Sequence, residues 1–387
     1  MIKKFAVGNL HGRNIDINFT LHEDLNVITG CNGVGKTTAL KLMWYMISGN
    51  IERIFKEMMF DYAMIETTEY RLIVTVMTVQ TVGSVRGTRP EKAACWRLYF
   101  GSSKRASIQI DTPIFPTEIG PSELVDTINM AVVFKAKLNS IFFPTFRRIE
   151  GGFSIKQESS NKTGPVSELT MAMTNLSRSL STPKHQFVAT ISTEDINELI
   201  TKRYASISKK VNDSHEDLSN KIIRSIANHE KASKKITAQE AAKSALVQAR
   251  RVLGSIGKSV KEYKAKQEEL LLPFSVLTET IASIFQEKSV RISKDITLGK
   301  SSSVEDIVDA SRLSAGEKQM LSFLTYNTLS NNSVIFIDEP ETSLHIDWQR
   351  KLFQVLLGQG KTNQFIIATH SASIYSKYAD KELIIGE

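Results

Sequence analysis

The chain has 387 residues, of which 41% are hydrophobic and 23% charged, enough apolar side chains for two or three domain cores. Its two cysteines, Cys31 and Cys95, exclude a disulfide framework and a cysteine-based metal site. Lys and Arg outnumber Asp and Glu by 49 to 41, a net charge of +8. Neither a signal-peptide segment nor a run of about 18 uncharged apolar residues occurs, so we expect a soluble cytoplasmic protein.

The first chemically informative segment lies close to the N-terminus. Short apolar or alternating segments predict strands at residues 4–7, 15–19 and 25–29. Residues 30–37 then read Gly-Cys-Asn-Gly-Val-Gly-Lys-Thr, a full match to the phosphate-loop pattern G-x-x-x-x-G-K-[ST]. The glycines allow backbone N–H groups to surround a polyphosphate, Lys36 reaches its terminal phosphates, and Thr37 supplies a hydroxyl to Mg²⁺. The residues assigned to nucleotide binding here are Asn32, Gly33, Gly35, Lys36, Thr37 and Thr38.

The remainder of the N-terminal lobe, which we assign to residues 1–153, is predicted to be mainly β-structure. A helix follows the phosphate loop, and segments rich in Val, Ile, Tyr and Thr predict an antiparallel sheet beside the nucleotide site. A further strand begins near residue 141 and ends at Arg147 and Arg148. These arginines could contact phosphate or a partner chain, although ordinary surface arginines are commoner after a strand.

Residues 154–192 are predicted to be a polar connection with a strand, because Ser, Thr, Asn, Lys and Gly dominate 154–184 and suit a mobile loop. Residues 193–288 have a different character. Apolar residues recur there in steps of three and four along two segments, which predicts a helical hairpin. Thr193 provides the helix start, and the polar run at 228–235 is the expected point of reversal.

The predicted hairpin is strongly basic. Residues 201–270 contain 16 Lys or Arg and 8 Asp or Glu, so this segment carries +8, as much as the whole chain. Such a projection could follow a phosphate backbone or dock an acidic protein. The alternative is an ordinary charged solvent face, since no aromatic residues are interleaved as stacking platforms.

The C-terminal lobe, residues 289–387, carries the second half of the predicted site. An apolar run at 334–337 ends in Asp338 and Glu339, which is typical of a buried parallel strand whose end faces the phosphates. Asp338 is suited to hold Mg²⁺, and Glu339 to act as the general base. Residues 313–319 read Leu-Ser-Ala-Gly-Glu-Lys-Gln, and a later apolar strand ends at His370.

In this order the motifs resemble those of ATP-binding cassette (ABC) ATPases, with a signature at 313–319, acids at 338–339 and a switch histidine at 370. The resemblance implies an α/β fold: an ABC-type phosphate-loop head, with a mixed sheet, an antiparallel β subdomain and an inserted helical hairpin or coiled coil. It also implies hydrolysis of ATP to ADP and phosphate, with Mg²⁺ as cofactor and His370 at the γ-phosphate. Gln157 is the nearest candidate for the family's Q-loop glutamine.

Within that superfamily, the hairpin and the separation of 278 positions from Lys36 to Ser314 resemble SMC-like and RecF-like heads rather than transporter cassettes. The segments at 7–13, 144–147 and 339–345 look most like antiphage-defence ATPases, namely the overcoming-lysogenization-defect group and the ATPase subunits of PARIS and Septu systems. Those proteins carry a Toprim nuclease or work with a separate effector. Since too little sequence follows His370 for a nuclease, the resemblance favours a separate effector protein.

The resemblance finally implies that each ATP lies between the phosphate loop of one copy and Ser314 and Gly316 of another. We therefore expect a head-to-head dimer or a higher homo-oligomer, with no membrane partner. Three roles stay open: a sensor or regulator in antiphage defence, a DNA repair or recombination clamp whose hairpin grips nucleic acid, and a scaffold that ATP only stabilises.

Overall fold

The structure, a computed structural model, describes most of the chain. The described residues are 1–79, 91–101, 105–114, 123–132, 136–145, 148–149, 165–191, 193–233, 241–284, 289–292, 296–299, 307–308 and 313–386.

The described strands are β1 (Ile2–Leu10), β2 (Ile15–Thr20), β3 (Leu25–Thr29), β4 (Tyr62–Thr67), β5 (Tyr70–Val79), β6 (Glu91–Phe100), β7 (Ile108–Ile114), β8 (Asn139–Phe143), β9 (Arg148–Ile149), β10 (His185–Phe187), β11 (Thr190–Ile191), β12 (Ser289–Ile292), β13 (Ile296–Gly299), β14 (Ile307–Val308), β15 (Ser333–Asp338), β16 (Gln364–Ala368) and β17 (Glu382–Ile384). The described helices are α1 (Lys36–Ser48), α2 (Ile54–Glu57), α3 (Glu123–Met130), α4 (Pro165–Leu180), α5 (Thr193–Ser233), α6 (Ala241–Ile284), α7 (Ala315–Leu329), α8 (Ile346–Gly358) and α9 (Ala372–Tyr375).

The chain divides into two compact units. The first contains residues 1–193 and 311–387, and the second contains residues 194–310. The first unit is therefore built from both ends of the sequence, and the second is an insertion within it. This is the predicted fold class, an α/β head with an inserted helical hairpin.

A six-stranded parallel sheet forms the centre of the first unit, in the order β10-β8-β15-β16-β3-β17. Every residue of β3, β15 and β16 is buried, which explains why these strands are continuous apolar runs rather than alternating patterns. Because neighbouring parallel strands end at the same edge, the chain segments that follow β8, β15, β16 and β3 lie side by side.

A second six-stranded sheet is antiparallel, in the order β2-β1-β4-β5-β6-β7. The predicted antiparallel β subdomain is thus confirmed, whereas the parallel and antiparallel strands occupy two separate sheets rather than the predicted mixed sheet. Helix α1, which follows the phosphate loop, has ten buried residues and belongs with strands of both sheets to one apolar core.

Helix α4 lies where the sequence was interpreted as a polar connection or mobile loop, and this interpretation was wrong for residues 165–180. Its apolar residues follow a 3,4 spacing that the Ser- and Thr-rich composition obscured. Leu180 belongs to the apolar core of the first unit, and Met173 and Leu176 pack against that core. The residues with this spacing are Val166, Leu169, Met173, Leu176 and Leu180.

The second unit contains the predicted hairpin. The ring centroids of Tyr204 and Phe274 lie 5.4 Å apart, and those of His215 and Tyr263 lie 5.9 Å apart. From Tyr204 to His215 the chain advances eleven residues, and from Phe274 to Tyr263 it goes back eleven, so α5 and α6 run antiparallel in constant register. Helix α5 continues to Ser233, beyond the start of the predicted reversal at 228–235.

The three-stranded sheet β12-β13-β14 also belongs to the second unit, where β12 contacts α6. The predicted C-terminal lobe instead began at residue 289. The short strands 289–292, 296–299 and 307–308 carry too little apolar periodicity to show which unit they join.

A buried polar cluster lies beneath α1. Trp44 Nε1 donates to Ser140 Oγ at 3.1 Å, and the same oxygen lies 2.8 Å from His185 Nδ1. The Trp44 ring also lies 5.4 Å from the rings of Phe142 and Phe187. Burial of His185, together with the charge of the neighbouring Lys184, lowers the pKa of this imidazole to about 3.

Because of His185, the free energy of unfolding should decrease as the pH is lowered. The folded ring stays neutral down to about pH 3, whereas the unfolded ring titrates near its ordinary pKa of 6.5 and takes up a proton as the pH falls below that value. Between pH 7 and pH 5 this site should cost about 2 kcal/mol of unfolding free energy. Urea denaturation at the two pH values should show a smaller difference for His185→Gln than for the wild type; equal differences would contradict the assignment.

Candidate nucleotide site

The phosphate loop connects buried β3 to α1 at the carboxyl edge of the parallel sheet. Gly35 caps α1 in the left-handed conformation, with φ of 101°. A Cβ at this position would lie 2.9 Å from Leu10 Cδ2, so both the backbone conformation and the space favour glycine. With no capping side chain at Gly35, the first N–H groups of α1 are available to an anion.

Lys36 places a cation directly at this loop. Its Nζ donates to the carbonyl oxygens of Gly30 at 2.8 Å and Cys31 at 2.9 Å, so the side chain folds back over the loop. Burial lowers the pKa of Lys36, while nearby carboxylates, including Asp338 and Glu339, act in the opposite direction. The ammonium group is therefore held where a polyphosphate would meet the loop.

Asp338 ends β15 and is buried, with 1% of its surface exposed. One carboxylate oxygen accepts a hydrogen bond from Thr37 Oγ1 at 3.0 Å, and the other accepts one from Thr145 Oγ1. Carboxylate and hydroxyl oxygens are hard donors of the kind that Mg²⁺ prefers, so Thr37 and Asp338 fit the predicted metal. Thr145, which follows β8, was not predicted to belong to the site.

Glu339 and the segment after β16 are held together by hydrogen bonds. Glu339 has φ of 48°, an uncommon value for a residue with a side chain, and its N–H donates to Ala368 O at 2.8 Å. The carboxylate of Glu341 accepts from Thr369 Oγ1 at 2.8 Å and from the backbone N–H of His370 at 2.7 Å. Glu341, for which no role was predicted, thus fixes the backbone of the predicted switch histidine.

These elements surround an open cleft of about 910 Å³. The residues that line it are His11, Arg13, Asn32, Gly33, Gly35, Lys36, Thr37, Thr38, Glu339 and His370. The structure thus brings together the predicted phosphate-loop residues, the predicted base Glu339 and the predicted switch histidine His370. Asp338 is joined to them by its hydrogen bond from Thr37.

His11 and Arg13 are cleft residues for which no role was predicted. His11 Nε2 lies 2.9 Å from Thr38 Oγ1, and Arg13 donates to Gly33 O at 2.9 Å. Both follow β1 in the turn that leads to β2. These two hydrogen bonds join the turn to the phosphate loop and the start of α1, segments 20 and 27 residues away, a contact that no local pattern indicates.

The predicted signature forms a separate feature. Ser314 caps α7 in a reciprocal capping box: its side chain accepts from Glu317 N at 3.3 Å, and Glu317 Oε2 accepts from Ser314 N at 2.8 Å. A Cβ at Gly316 would lie 2.5 Å from Ser343 O, so glycine allows α7 to approach the segment after β15. Gln319 Nε2 donates to Pro340 O at 2.8 Å and strengthens this connection.

Ser314 and Gly316 line a second open cavity, of about 530 Å³, together with Ser343, His345 and Trp348. Neither signature residue is among the described residues that line the phosphate-loop cleft. The two parts of the predicted nucleotide site therefore lie in different cavities of the same compact unit.

Comparison with known protein families now identifies the chain. The sequence pattern of the AAA ATPase domain family matches residues 130–375, which is 246 of the 387 residues. The chain belongs to this family. The matched AAA ATPase region contains the signature, Asp338 and His370, and it supports the predicted ATPase activity.

Similar proteins come from two further comparisons. ABC transporter A family member 7 of Dictyostelium discoideum is 31% identical over 122 residues, which cover 31% of this chain and 14% of that protein. This AAA ATPase chain thus spans a small part of that relative. Two solved structures of Smc heads are similar to this chain, with sequence identities to it of 12% and 11%. Each similarity has a TM-score of 0.40 and covers 97% of this chain and 91% of the Smc chain. One is the Pyrococcus furiosus Smc head with an extended coiled coil bound to the C-terminal domain of ScpA, and the other an Smc head bound to the C-winged helix domain of ScpA.

Gln157 and Arg147 lie outside the described residues, as does the side chain of Arg148. Among the helices of the described segments, none combines the length and apolar character needed to cross a membrane.

Thr145→Val should raise the Mg²⁺ concentration needed for half-maximal ATP hydrolysis several-fold, because one oxygen of Asp338 loses its hydrogen-bond donor and the carboxylate is less well oriented. Magnesium titrations of hydrolysis would measure this shift. Thr145→Ser keeps the hydroxyl and is the matched control. An unchanged magnesium requirement in Thr145→Val, with wild-type stability, would show that Thr145 does not position Asp338.

Proposed function

We propose that the protein hydrolyses ATP at sites completed between two copies and uses the nucleotide as a switch. The observation that carries this proposal is the separation of Ser314 and Gly316 from the phosphate-loop cleft, although each feature has the form expected of half a nucleotide site. A head-to-head dimer would place the signature of each copy against the phosphate loop of the other. Both cavities are open, as such an arrangement requires.

The residues of one copy would then have distinct roles. Lys36 and the N–H groups of the phosphate loop bind the phosphates, and His370 lies near the γ-phosphate. Glu339 accepts a proton from water while the water oxygen bonds to the γ-phosphorus; the bond from that phosphorus to the bridging oxygen breaks, which releases ADP and phosphate. Mg²⁺ held by Thr37 and Asp338 would neutralise charge on the phosphates.

Lys36→Ala should abolish ATP binding because it removes the cation at the loop, whereas Glu339→Gln should bind ATP and lose turnover because an amide cannot accept the proton. Equilibrium binding of a fluorescent ATP analogue and steady-state phosphate release measure the two properties separately. Hydrolysis at the wild-type rate by Glu339→Gln would remove Glu339 from the role of base.

Ser314→Arg tests the composite arrangement. The bulky cation should block the neighbouring nucleotide and eliminate hydrolysis, while single chains still bind ATP. An equal mixture of Ser314→Arg and Lys36→Ala chains should recover up to about a quarter of wild-type hydrolysis, because about half of random dimers are mixed and each has one intact site of two. Normal hydrolysis by Ser314→Arg alone would contradict the proposal.

The biological role that we propose is control of a separate effector protein, as the sensor or regulator subunit of an antiphage defence system in the cytoplasm. The similarity of the segments at 7–13, 144–147 and 339–345 to defence ATPases supports this role. The nucleotide would favour the assembled state, and hydrolysis or a trigger would release it. The basic hairpin supplies a surface for the effector.

A repair or recombination clamp is the second candidate. The specific observation in its favour is the charge of +8 between residues 201 and 270, which suits a phosphate backbone. We favour the effector because the aromatic residues Tyr204 and Tyr263 contact rings on the facing helix, rather than forming a platform on which bases could stack.

A further inference from the structure

The helical hairpin exposes apolar side chains that its own packing does not use. Ile223 and Ile226 of α5 are 63% and 47% exposed, and Leu253 of α6 is 68% exposed. The register set by the Tyr204–Phe274 and His215–Tyr263 pairs places residue 225 opposite residue 253. The three apolar side chains therefore lie at the same level of the hairpin.

A polar groove identifies one side of the hairpin. Asp217 and Lys221 of α5 and Glu262 and Lys266 of α6 line it together. The line from each helix to its partner is set by its less exposed stripe, which contains Tyr204, Val211 and Leu218 in α5 and Ile256, Tyr263 and Phe274 in α6. At roughly 100° per residue, each groove position lies about 75–120° to one side of that line. The flank of α5 that carries Asp217 and Lys221 and the flank of α6 that carries Glu262 and Lys266 therefore form one face of the hairpin.

The exposed apolar residues lie on the opposite face. By the same rotation of about 100° per residue, Ile223 and Ile226 lie roughly 65–125° from the line to α6, on the side away from Asp217 and Lys221. Leu253 lies about 60° from the line to α5, on the side away from Glu262 and Lys266. Ile223, Ile226 and Leu253, called here the apolar patch, thus share one face at one level.

Positive charge accompanies the apolar patch. Arg250, about one turn from Leu253, and Lys264, about three turns away, are exposed on the same side of α6. Glu268 is also exposed there, one turn beyond Lys264, so the unopposed positive charge lies nearest the patch, at Arg250. Neither cation has a carboxylate partner among the described residues, whereas Lys258 has one in Glu262 at 4.0 Å. At Gly257, which also faces this side, an added Cβ would meet nothing within 4 Å, so the surface next to Leu253 is open.

These features discriminate between possible occupants. A second copy placed patch to patch about a two-fold axis parallel to the hairpin would bring Arg250 against Arg250 and Lys264 against Lys264. Nucleic acid would satisfy the cations but would dehydrate branched aliphatic side chains without offering them an apolar surface. An amphipathic segment with carboxylates beside its apolar side chains satisfies both, since it covers the patch and pairs with the cations.

We propose that the apolar patch, with Arg250 and Lys264, is the docking surface for an acidic amphipathic segment of a partner protein. The inference rests on the proposed control of a separate effector and specifies which face of the hairpin receives it. Partner side chains would cover Ile223, Ile226 and Leu253, while Asp or Glu residues meet the two cations.

Selection of peptides from a random 16-residue display library, with the full chain as bait, tests the proposal. The enriched peptides should combine Asp or Glu with apolar residues at helical spacing. Their affinity, measured by fluorescence anisotropy, should fall about tenfold or more in the double variant Ile223→Asn/Leu253→Asn and in Arg250→Glu. Two matched controls, Leu272→Asn and Arg251→Glu, change an exposed leucine and an exposed arginine of α6 elsewhere and should retain wild-type affinity.

Enriched peptides without acids, or binding that the patch variants leave unchanged, would overturn the proposal. Salt-sensitive binding of duplex DNA that is lost in Ile223→Asn/Leu253→Asn would also overturn it. The same holds if the wild-type chain sediments as a dimer and the double variant sediments as a monomer. ATP hydrolysis by each variant is measured in parallel and should equal the wild-type rate. If the wild-type chain hydrolyses ATP but binds no acidic amphipathic peptide, this inference alone fails. If the wild-type chain does not hydrolyse ATP, the proposed function fails.

Discussion

The buried carboxylate of Asp338 is the constraint on which the rest of the nucleotide site depends. A buried charge is costly unless polar partners satisfy it, and here Thr37 and Thr145 each donate to one of its oxygens. These donors come from the start of α1 and from the end of β8. One side chain therefore ties the phosphate loop, β8 and β15 together at the edge where nucleotide chemistry is proposed.

The segment after β15 connects the two halves of the proposed composite site. Its first residue, Glu339, lines the phosphate-loop cleft, and its later residues, Ser343 and His345, line the signature cavity. Pro340 between them accepts a hydrogen bond from α7, and Glu341 holds the backbone of His370. A change at either cavity would act on the same few backbone atoms, which is a physical basis for coupling one nucleotide to its neighbour.

The parts of the site that could be predicted are those whose chemistry is local in sequence. The phosphate loop, the acids after β15 and the terminus of β16 combine a short motif with a continuous apolar strand. His11, Arg13 and Thr145 could not be predicted, because they reach the site through contacts between segments apart in sequence. His11 and Arg13 hydrogen-bond to Thr38 and Gly33, and β8, which precedes Thr145, pairs with β15. Helix α4 was missed for another reason: its 3,4 apolar spacing lies in a composition typical of loops.

The hairpin illustrates how folding and binding can be separated in one element. Each helix packs one stripe against the other, and this stripe includes Tyr204 and Leu218 of α5 and Tyr263 and Phe274 of α6. Residues outside the stripe add little to hairpin stability, so the large exposed side chains of Ile223 and Leu253 are not required by the fold. Since water contact with such side chains is unfavourable, a partner that covers them gains free energy that the isolated chain does not use.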